Sequence, residues 1–386
     1  MKVYLDNAAT TKTAPDVVEA MTPFFTETYG NASSIHSFGE AAKEAIENAR
    51  ERIAKLLNAE PDEIIFTSGG TESDNLAIKG VARALKNKGN HIVTSAFEHH
   101  AVLHACQALE REGFELTYVG IDKDGFVKLD ELKNSIRKDT VLVTIMHANN
   151  EIGTIQPLDK IGKICKEKNV LFHSDIVQSF TKVPIDVKKI NLDLASISAH
   201  KFHGPKGVGA LYVRKGTKLQ KLFDGGMQEF DLRPGTENVA GIVGFAKAAE
   251  LISKKDIEKM IKLRDKLIAE LLKIPGARLN GSKENRLCNN VNISFDYIEG
   301  EALLLSLDDK GVAVSTGSAC TSHKLEPSHV LLSLGLKPEQ SHGSIRFSLS
   351  KYTTDEEIDY AIKSVKESVD KLRAMSPFKQ KQEAHK

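Results

Sequence analysis

The amino-acid sequence predicts an α/β protein: a large domain built on a mainly parallel sheet covered by helices, followed by a smaller α+β domain. Three observations carry this expectation. Between residues 63 and 214, short apolar runs alternate regularly with helical patterns. The runs are continuously apolar, as strands buried on both faces require. After a long helical stretch the pattern changes, and strands no longer alternate with helices one for one. The expected boundaries are 15–255 for the large domain and 1–14 with 256–386 for the small one.

Taken in order, residues 4–11 form a short arm of small polar groups, too short to fold alone. Helical patterns follow at about 15–28 and 39–57, the second placing Ala42, Ile46, Ala49, Ile53 and Leu56/Leu57 on one face. Strands are expected at about 63–67, 91–95, 115–121, 141–146, 170–173, 194–198 and 209–214, with helices at about 72–85, 98–112 and 158–168 between them. Residues 241–273 read as one long helical region with a break near Ser253. The second half offers strands at about 277–279, 290–295, 312–315 and 344–349, and helices at about 300–309, 327–334 and 355–374. The last helix opens on Thr354-Asp-Glu-Glu357, a capping-box pattern, and the Lys/Gln-rich end from Pro377 is expected to fray.

Composition excludes several function classes. At 386 residues with 41% hydrophobic content the chain can bury two cores of ordinary size. Lys plus Arg (53) nearly balances Asp plus Glu (52), and no dense basic run is interleaved with aromatics, so nucleic acid is not an expected partner. No apolar run approaches bilayer length, and the start lacks a leader pattern; a soluble, cytoplasmic protein with no membrane partner is expected. The four cysteines, Cys106, Cys165, Cys288 and Cys320, form no C-x-x-C pair and are expected to be free thiols. Cys106 and Cys165 fall in helical patterns, whereas Cys288 reads as part of an exposed turn.

Ligands of parallel sheets gather at the carboxyl ends of the strands, so candidate residues are sought there. Lys201 follows strand 194–198 and precedes Gly204-Pro205-Lys206-Gly207, which places it at the mouth of a hairpin. A lysine held still and partly desolvated can become a nucleophile towards an aldehyde cofactor; alone, it reads as a solvated loop lysine, as Lys206 does. After strand 63–67, Ser68-Gly-Gly-Thr71 combines close backbone approach with a helix N-terminus, a cup suited to phosphate, although Thr71-x-x-Asp74 also reads as a plain capping box. Asp175, after strand 170–173, could pair with a protonated pyridine nitrogen and Gln178 with a ring oxygen; the bland alternative for Asp175 is a helix cap. His99, in Glu98-His-His100, could stack on a ring or move protons. His100 and His104 stand four apart, but no H-E-x-x-H pattern or third ligand accompanies them, so no metal is expected. Asn150 adds a side-chain amide at the same edge.

Together these residues carry a resemblance. Leu5-Asp-Asn-Ala-Ala-Thr-Thr, Thr67-Ser-Gly-Gly-Thr-Glu-Ser, Glu98-His-His, Asn149-Asn-Glu-Ile-Gly, His173-Ser-Asp-x-x-Gln and Ser198-Ala-His-Lys are similar to the motifs of the pyridoxal-phosphate-dependent cysteine desulfurases. Thr316-Gly-Ser-Ala-Cys320-Thr-Ser and Ser344-Ile-Arg-Phe-Ser-Leu continue the match through the second domain. The resemblance implies an aminotransferase-like, pyridoxal-phosphate-dependent transferase fold in a homodimer. It implies Lys201 as the Schiff-base lysine, Asp175 at the ring nitrogen, Gln178 at the ring hydroxyl and His99 stacked on the ring. Phosphate contacts would come from Gly70, Thr71, Ser198 and His200, with Thr236 reaching across from the second subunit. Arg346 and Asn150 would hold the substrate carboxylate, with Asn7, Asn31 and His36 bordering the site. The sequence departs from the family pattern at Gly225-Gly-Met-Gln-Glu-Phe-Asp231, where a third glycine and a basic residue are usual, and at Ser350, where glycine is.

The implied reaction converts L-cysteine to L-alanine. Lys201 takes the substrate's alpha proton, His99 manages the thiol proton, and the Cys320 thiolate accepts the sulfur as a persulfide for an iron–sulfur scaffold or a sulfur-relay acceptor. Cys320 sits among small and polar residues, as a loop does that delivers sulfur. Three alternatives stay open at this point. A class V aminotransferase would need no loop cysteine, a selenocysteine lyase would use the same residues, and a non-catalytic sulfur carrier or scaffold would need neither Lys201 nor Asp175.

Overall fold

The computed structural model describes residues 1–316 and 327–375. Its strands, in chain order, are β1 (Val3–Tyr4), β2 (Ile64–Thr67), β3 (His91–Ser95), β4 (Glu115–Val119), β5 (Thr140–Thr144), β6 (Leu171–Asp175), β7 (Leu194–Ser198), β8 (Gly209–Val213), β9 (Ala277–Leu279), β10 (Asn290–Phe295), β11 (Val312–Ala313) and β12 (Ser344–Ser348). A seven-stranded sheet runs in the order β2-β8-β7-β6-β5-β3-β4. Only β8 opposes its neighbours, pairing antiparallel with both β2 and β7, so the sheet is mainly parallel. Every residue of β2, β3, β5, β7 and β8 is buried, which is why their sequences are mostly apolar or small, with His91 of β3 satisfied by the hydroxyls of Thr140 and Thr117. Two apolar cores cover the faces of this sheet, one around Ile53, Phe66, Phe172 and Phe245 and one around Leu76, Ile92, Val102 and Leu211.

A third core is separate and joins Val3 and Leu5 of the arm to Leu267, Ile293, Phe347 and Ile358. Its sheet, β12-β10-β9, is antiparallel, and β1 pairs parallel with β11. The helix His329–Ser333 packs Val330 and Leu331 into the large-sheet core. No helix among the described residues is long and apolar enough to cross a membrane.

Local chemistry explains where elements begin and end. The helix Ser37–Leu57 buries Ala42, Ile46, Ala49, Ile53 and Leu57, leaving Leu56 exposed, and stops at Asn58 in the left-handed conformation. The break near Ser253 is a true start: Ser253 and Asp256 form a reciprocal capping box between the helices Val239–Ala249 and Lys254–Leu271. Thr354 and Glu357 do the same for Asp355–Met375. The helix expected at 15–28 is instead split into Pro15–Met21 and Pro23–Thr26, because Pro23 has no N–H to continue the ladder. The short helices Leu129–Ser135, Val187–Ile190 and Pro338–His342 have too few turns to show a period in sequence.

Among the described non-glycine residues with positive φ, one is β-branched. Thr181, two residues beyond the buried Ser179, has φ +68°, a conformation that a β-branched side chain rarely adopts, and its hydroxyl is buried without a hydrogen bond. Relief of strain of about 1–2 kcal/mol outweighs the roughly 0.5–1 kcal/mol entropic cost of glycine. Thr181→Gly is therefore expected to raise the denaturant midpoint of the protein. An unchanged or lower midpoint would mean that Thr181 packs well enough to offset its backbone.

Candidate active site

Five parallel strands deliver their carboxyl ends to one place. There a cavity of about 320 Å3 is lined by residues that include Gly70, His99, Asn150, Asp175, Lys201 and Arg346. Lys201 closes a single 3-10 turn, Ala199–Lys201, between β7 and the returning β8. Its Nζ donates to the carbonyls of Ala8 (2.7 Å) and Ala9 (2.8 Å). The arm that supplies these carbonyls is strapped down by Thr11, whose N–H and hydroxyl both donate to the His200 carbonyl, and whose Oγ1 accepts the His203 N–H. Behind this turn, buried Lys182 donates to the carbonyls of Gln178 (3.0 Å) and Lys201 (3.2 Å), and burial pulls its pKa down to about 8. Lys206 is exposed, as its place between glycines suggested.

The phosphate-cup expectation rests on Ser68–Thr71. The helix Gly70–Ala84 starts on Gly69 (φ +152°), which has no side chain to cap the first amides, so these stay available to an anion. A Cβ on Gly70 would lie 2.9 Å from the Val177 methyl, which explains glycine there. Gly70, Thr71, Ser198 and His200 all line this region, and His200 Nδ1 meets the Thr10 hydroxyl at 3.1 Å. Burial and the neighbouring Lys201 and Lys206 charges hold the His200 pKa down to about 4.

Asp175 is the last residue of β6, not a helix cap, and is 5% exposed. Its Oδ1 accepts the Val177 N–H at 2.8 Å. Burial raises its pKa, opposed by that hydrogen bond and by the Lys201 charge. Gln178 lines the same cavity and donates to the Ala8 carbonyl at 3.0 Å. His99 caps the helix His100–Arg111; its Nδ1 accepts the Ala101 N–H at 3.2 Å, which leaves the ring proton on Nε2. Burial first, then Lys201 and the histidines at 100, 329 and 104, lower its pKa to about 4, so the ring is neutral near pH 7.

Arg346, on β12, brings a guanidinium to the rim. It is anchored by the Asp6 carboxylate (2.9 Å) and the Asn150 carbonyl (3.1 Å), while its buried Nε has no hydrogen-bond partner among the described residues. Asn7 stands apart: its amide donates to the backbone carbonyls of Ser348 (2.8 Å) and Tyr4 (3.2 Å) and holds the arm, and it does not line the cavity. Asn31 and His36 also lie off the cavity; Asn31 accepts the Ser33 N–H and His36 caps the helix Ser37–Leu57. Thr236 is exposed and outside this chain's cavity. Cys320 lies outside the described residues. Cys288, expected on an exposed turn, is in fact 5% exposed, and burial raises its pKa as it does for Cys106 and Cys165.

The two sequence departures have structural answers. Glu229 is buried and forms a two-pronged ion pair with Arg50 (2.8 Å on each arm) while accepting the Phe66 N–H at 2.7 Å. The Arg50 guanidinium lies over the rings of Phe66 (4.9 Å) and Phe230 (5.0 Å), so Phe230, within the departing stretch, covers this pair. Ser350 makes its turn by hydrogen bonds, its N–H donating to Thr353 and its hydroxyl accepting from Tyr352.

Sequence reasoning passed over Asp6, Asp74 and Lys182. Asp6 lies within the quoted arm motif, but its partner is 340 residues away. Asp74 was readable only as a cap, yet the helix begins at Gly70 and Asp74 is 1% exposed with one carboxylate oxygen unpartnered. The residues present fit pyridoxal phosphate: an amine for its aldehyde, open helix amides for its phosphate, a buried carboxylate for its ring nitrogen and an imidazole for its face.

A model of the aminotransferase class-V family matches residues 3–361. The chain is 56% identical over 389 residues to cysteine desulfurase IscS of Dictyoglomus turgidum, covering 100% of this chain and 99% of that protein. It is 57% identical to cysteine desulfurase IscS of Methanosarcina thermophila, covering 98% and 95%. Among solved structures it is similar to a NifS-like protein (TM-score 0.91, 43% identity, 96% of this chain and 100% of that one). It is also similar to SspA in complex with cysteine (TM-score 0.83, 38% identity, 92% and 100%).

Proposed function

The chain belongs to the class-V aminotransferase family, and on that premise we propose that it is a pyridoxal-phosphate-dependent cysteine desulfurase, converting L-cysteine to L-alanine. The observation that carries this reading is the convergence of Lys201, Asp175, His99 and Arg346 on one cavity, beside full-length similarity to cysteine desulfurases. Bound there, pyridoxal phosphate supplies an aldehyde for the substrate amine and a ring that withdraws electrons from the carbon beside it.

The chain's own residues have separable tasks. Arg346 binds the substrate carboxylate, for which a planar fork is the natural partner; it lines the cavity beside Asn150. Asp175 holds the proton of the ring nitrogen by remaining anionic beside it. Lys201 Nζ takes the alpha proton, with the Ala8 and Ala9 carbonyls fixing its position. His99 meets the substrate as a donor from Nε2; to take the thiol proton, Nδ1 must give up its bond from Ala101. The Cys320 thiolate then attacks the substrate sulfur. An S–S bond forms as the C–S bond breaks, and the C–S electron pair stays with the fragment that leaves, after protonation, as alanine. The persulfide sulfur passes to an acceptor, with an iron–sulfur scaffold the partner that the IscS relatives suggest.

The working unit is a homodimer that places Thr236 of the partner subunit at the phosphate. Support comes from apolar side chains left in solvent, among them Tyr29 (64% exposed), Ile35 (95%) and Met227 (81%). The test of the activity is the absorption spectrum of the purified protein, expected to be yellow, before and after L-cysteine, with alanine measured and no keto acid present. Alanine formation under these conditions is expected. A requirement for a keto acid would instead establish an aminotransferase, and a colourless protein a sulfur carrier.

A further inference from the structure

Beneath the ring pocket a second carboxyl group faces Asp175. Asp74 sits on the helix Gly70–Ala84, one turn past the phosphate cup; it lines the cavity, is 1% exposed, and its Oδ1 has no hydrogen-bond partner. A carboxylate oxygen of Asp74, one of Asp175 and a ring nitrogen of His99 all lie within 4.8 Å of one another. Two carboxylates this close in a dry pocket cannot both ionise freely, so the pair shares a proton. The surroundings decide which one keeps it. Asp175 accepts the Val177 N–H and faces the Lys201 charge, both of which favour its anion. Asp74 is pushed well above the ordinary carboxylate range by burial and by Asp175, with a Ser196 hydrogen bond pulling the other way and Glu98 adding to the rise.

Among the described residues, the remaining groups around the pair do not supply a compensating cation. His173 Nε2 is 3.7 Å from Asp74 Oδ1, but its ring is tied to the hydroxyls of Thr144 and Ser196 and burial keeps it neutral, its pKa lowered to about 3. His99 is neutral for the same reason. Glu98 accepts from Ser95 and from the Met146 N–H, and burial raises its pKa to about 8.

We propose that Asp74 is a positioning residue: it carries the proton of the Asp74–Asp175 pair and donates that hydrogen bond to Asp175, keeping Asp175 ionised and turned towards the cofactor's ring nitrogen. This rests on Asp175 being the partner of that nitrogen. No electron or bond is transferred; one proton is held at Asp74 so that another can be held at the ring.

Asp74→Asn and Asp74→Ala separate a neutral donor from an anion. Apo protein is titrated with pyridoxal phosphate, and the absorbance of the loaded protein is followed against pH. Ala loses the donor and is expected to weaken cofactor binding by about tenfold or more, the scale of one hydrogen bond to a charged group, and to move the pH at which the band titrates. Asn keeps a neutral donor and is expected to recover most of that affinity. Asn as damaging as Ala, or Ala indistinguishable from the wild type, overturns the proposal.

The apo protein gives a second readout that does not need Ala to fold. A carboxyl whose folded pKa is raised binds its proton more tightly when folded, so it costs stability as pH rises above its unfolded value of about 3.9. Asp74→Asn removes that cost, so its stability advantage over the wild type should widen as pH rises above about 4. A constant difference overturns the assignment of the proton to Asp74. Asp175→Asn is run alongside: if it leaves both affinity and band unchanged, the reading of Asp175 fails, and that failure is distinct from failure of Asp74.

Discussion

Lys201→Ala is expected to abolish alanine formation from L-cysteine, by roughly a thousandfold or more, because one substitution removes both the covalent link to the cofactor and the base that takes the alpha proton. Among the described residues, neither neighbouring lysine can substitute. Lys206 is exposed and turned to water, and Lys182 is occupied by the carbonyls of Gln178 and Lys201. Cofactor should still bind in the variant through the open amides after Gly69 and through Ser198, but without the covalent bond. Borohydride treatment of the wild type should fix the cofactor to the peptide that contains Lys201. Fixation at Lys206, or a variant that still turns over at the wild-type rate, would remove Lys201 from the centre of the site.

Cys320→Ser is expected to show the second large effect, a loss of alanine formation on the order of a thousandfold with cofactor binding retained. A serine hydroxyl stays protonated near neutral pH, whereas a cysteine supplies nucleophilic thiolate whose sulfur exchanges readily. The early steps draw on Lys201, Asp175 and Arg346, so addition of L-cysteine should still change the spectrum of the variant. The described residues on either side of 317–326 are tied to the substrate side of the cavity. Ser315 pairs with the Arg346 backbone in both directions, and Ser328 donates to the carboxylate of Glu151, next to Asn150. Undiminished alanine formation by the serine variant would refute the role of Cys320.

Much of the site was legible because it is encoded locally. Strand ends can be read from apolar runs, and a pair of glycines before a helix marks where backbone amides open to an anion, so Gly70, Asp175 and Lys201 could be placed from sequence. What could not be read depends on pairing between distant segments. Asp6 anchors Arg346 only because β12 lies beside the arm, a contact across 340 residues. Asp74 was ambiguous because Thr71 stands three residues before it, the same spacing that makes a cap; only the helix start at Gly70 turns its side chain inward to Asp175. Asn7 lies off the cavity for a related reason, since β12 offers it a backbone carbonyl that no local pattern announces. Cys288 looked exposed among polar neighbours, yet it is buried, and the Lys182 charge is among the influences on its thiol.

Sulfur transfer to Cys320 is tested most directly by mapping the sulfur itself. The wild-type protein is given L-cysteine without reductant, digested, and its cysteine peptides are weighed. The peptide carrying Cys320 should gain the mass of one sulfur atom, while those carrying Cys106, Cys165 and Cys288 stay unmodified, as buried thiols held in the protonated form should. Persulfide found only on one of those three, or alanine formed with no sulfur on any cysteine, would contradict the account.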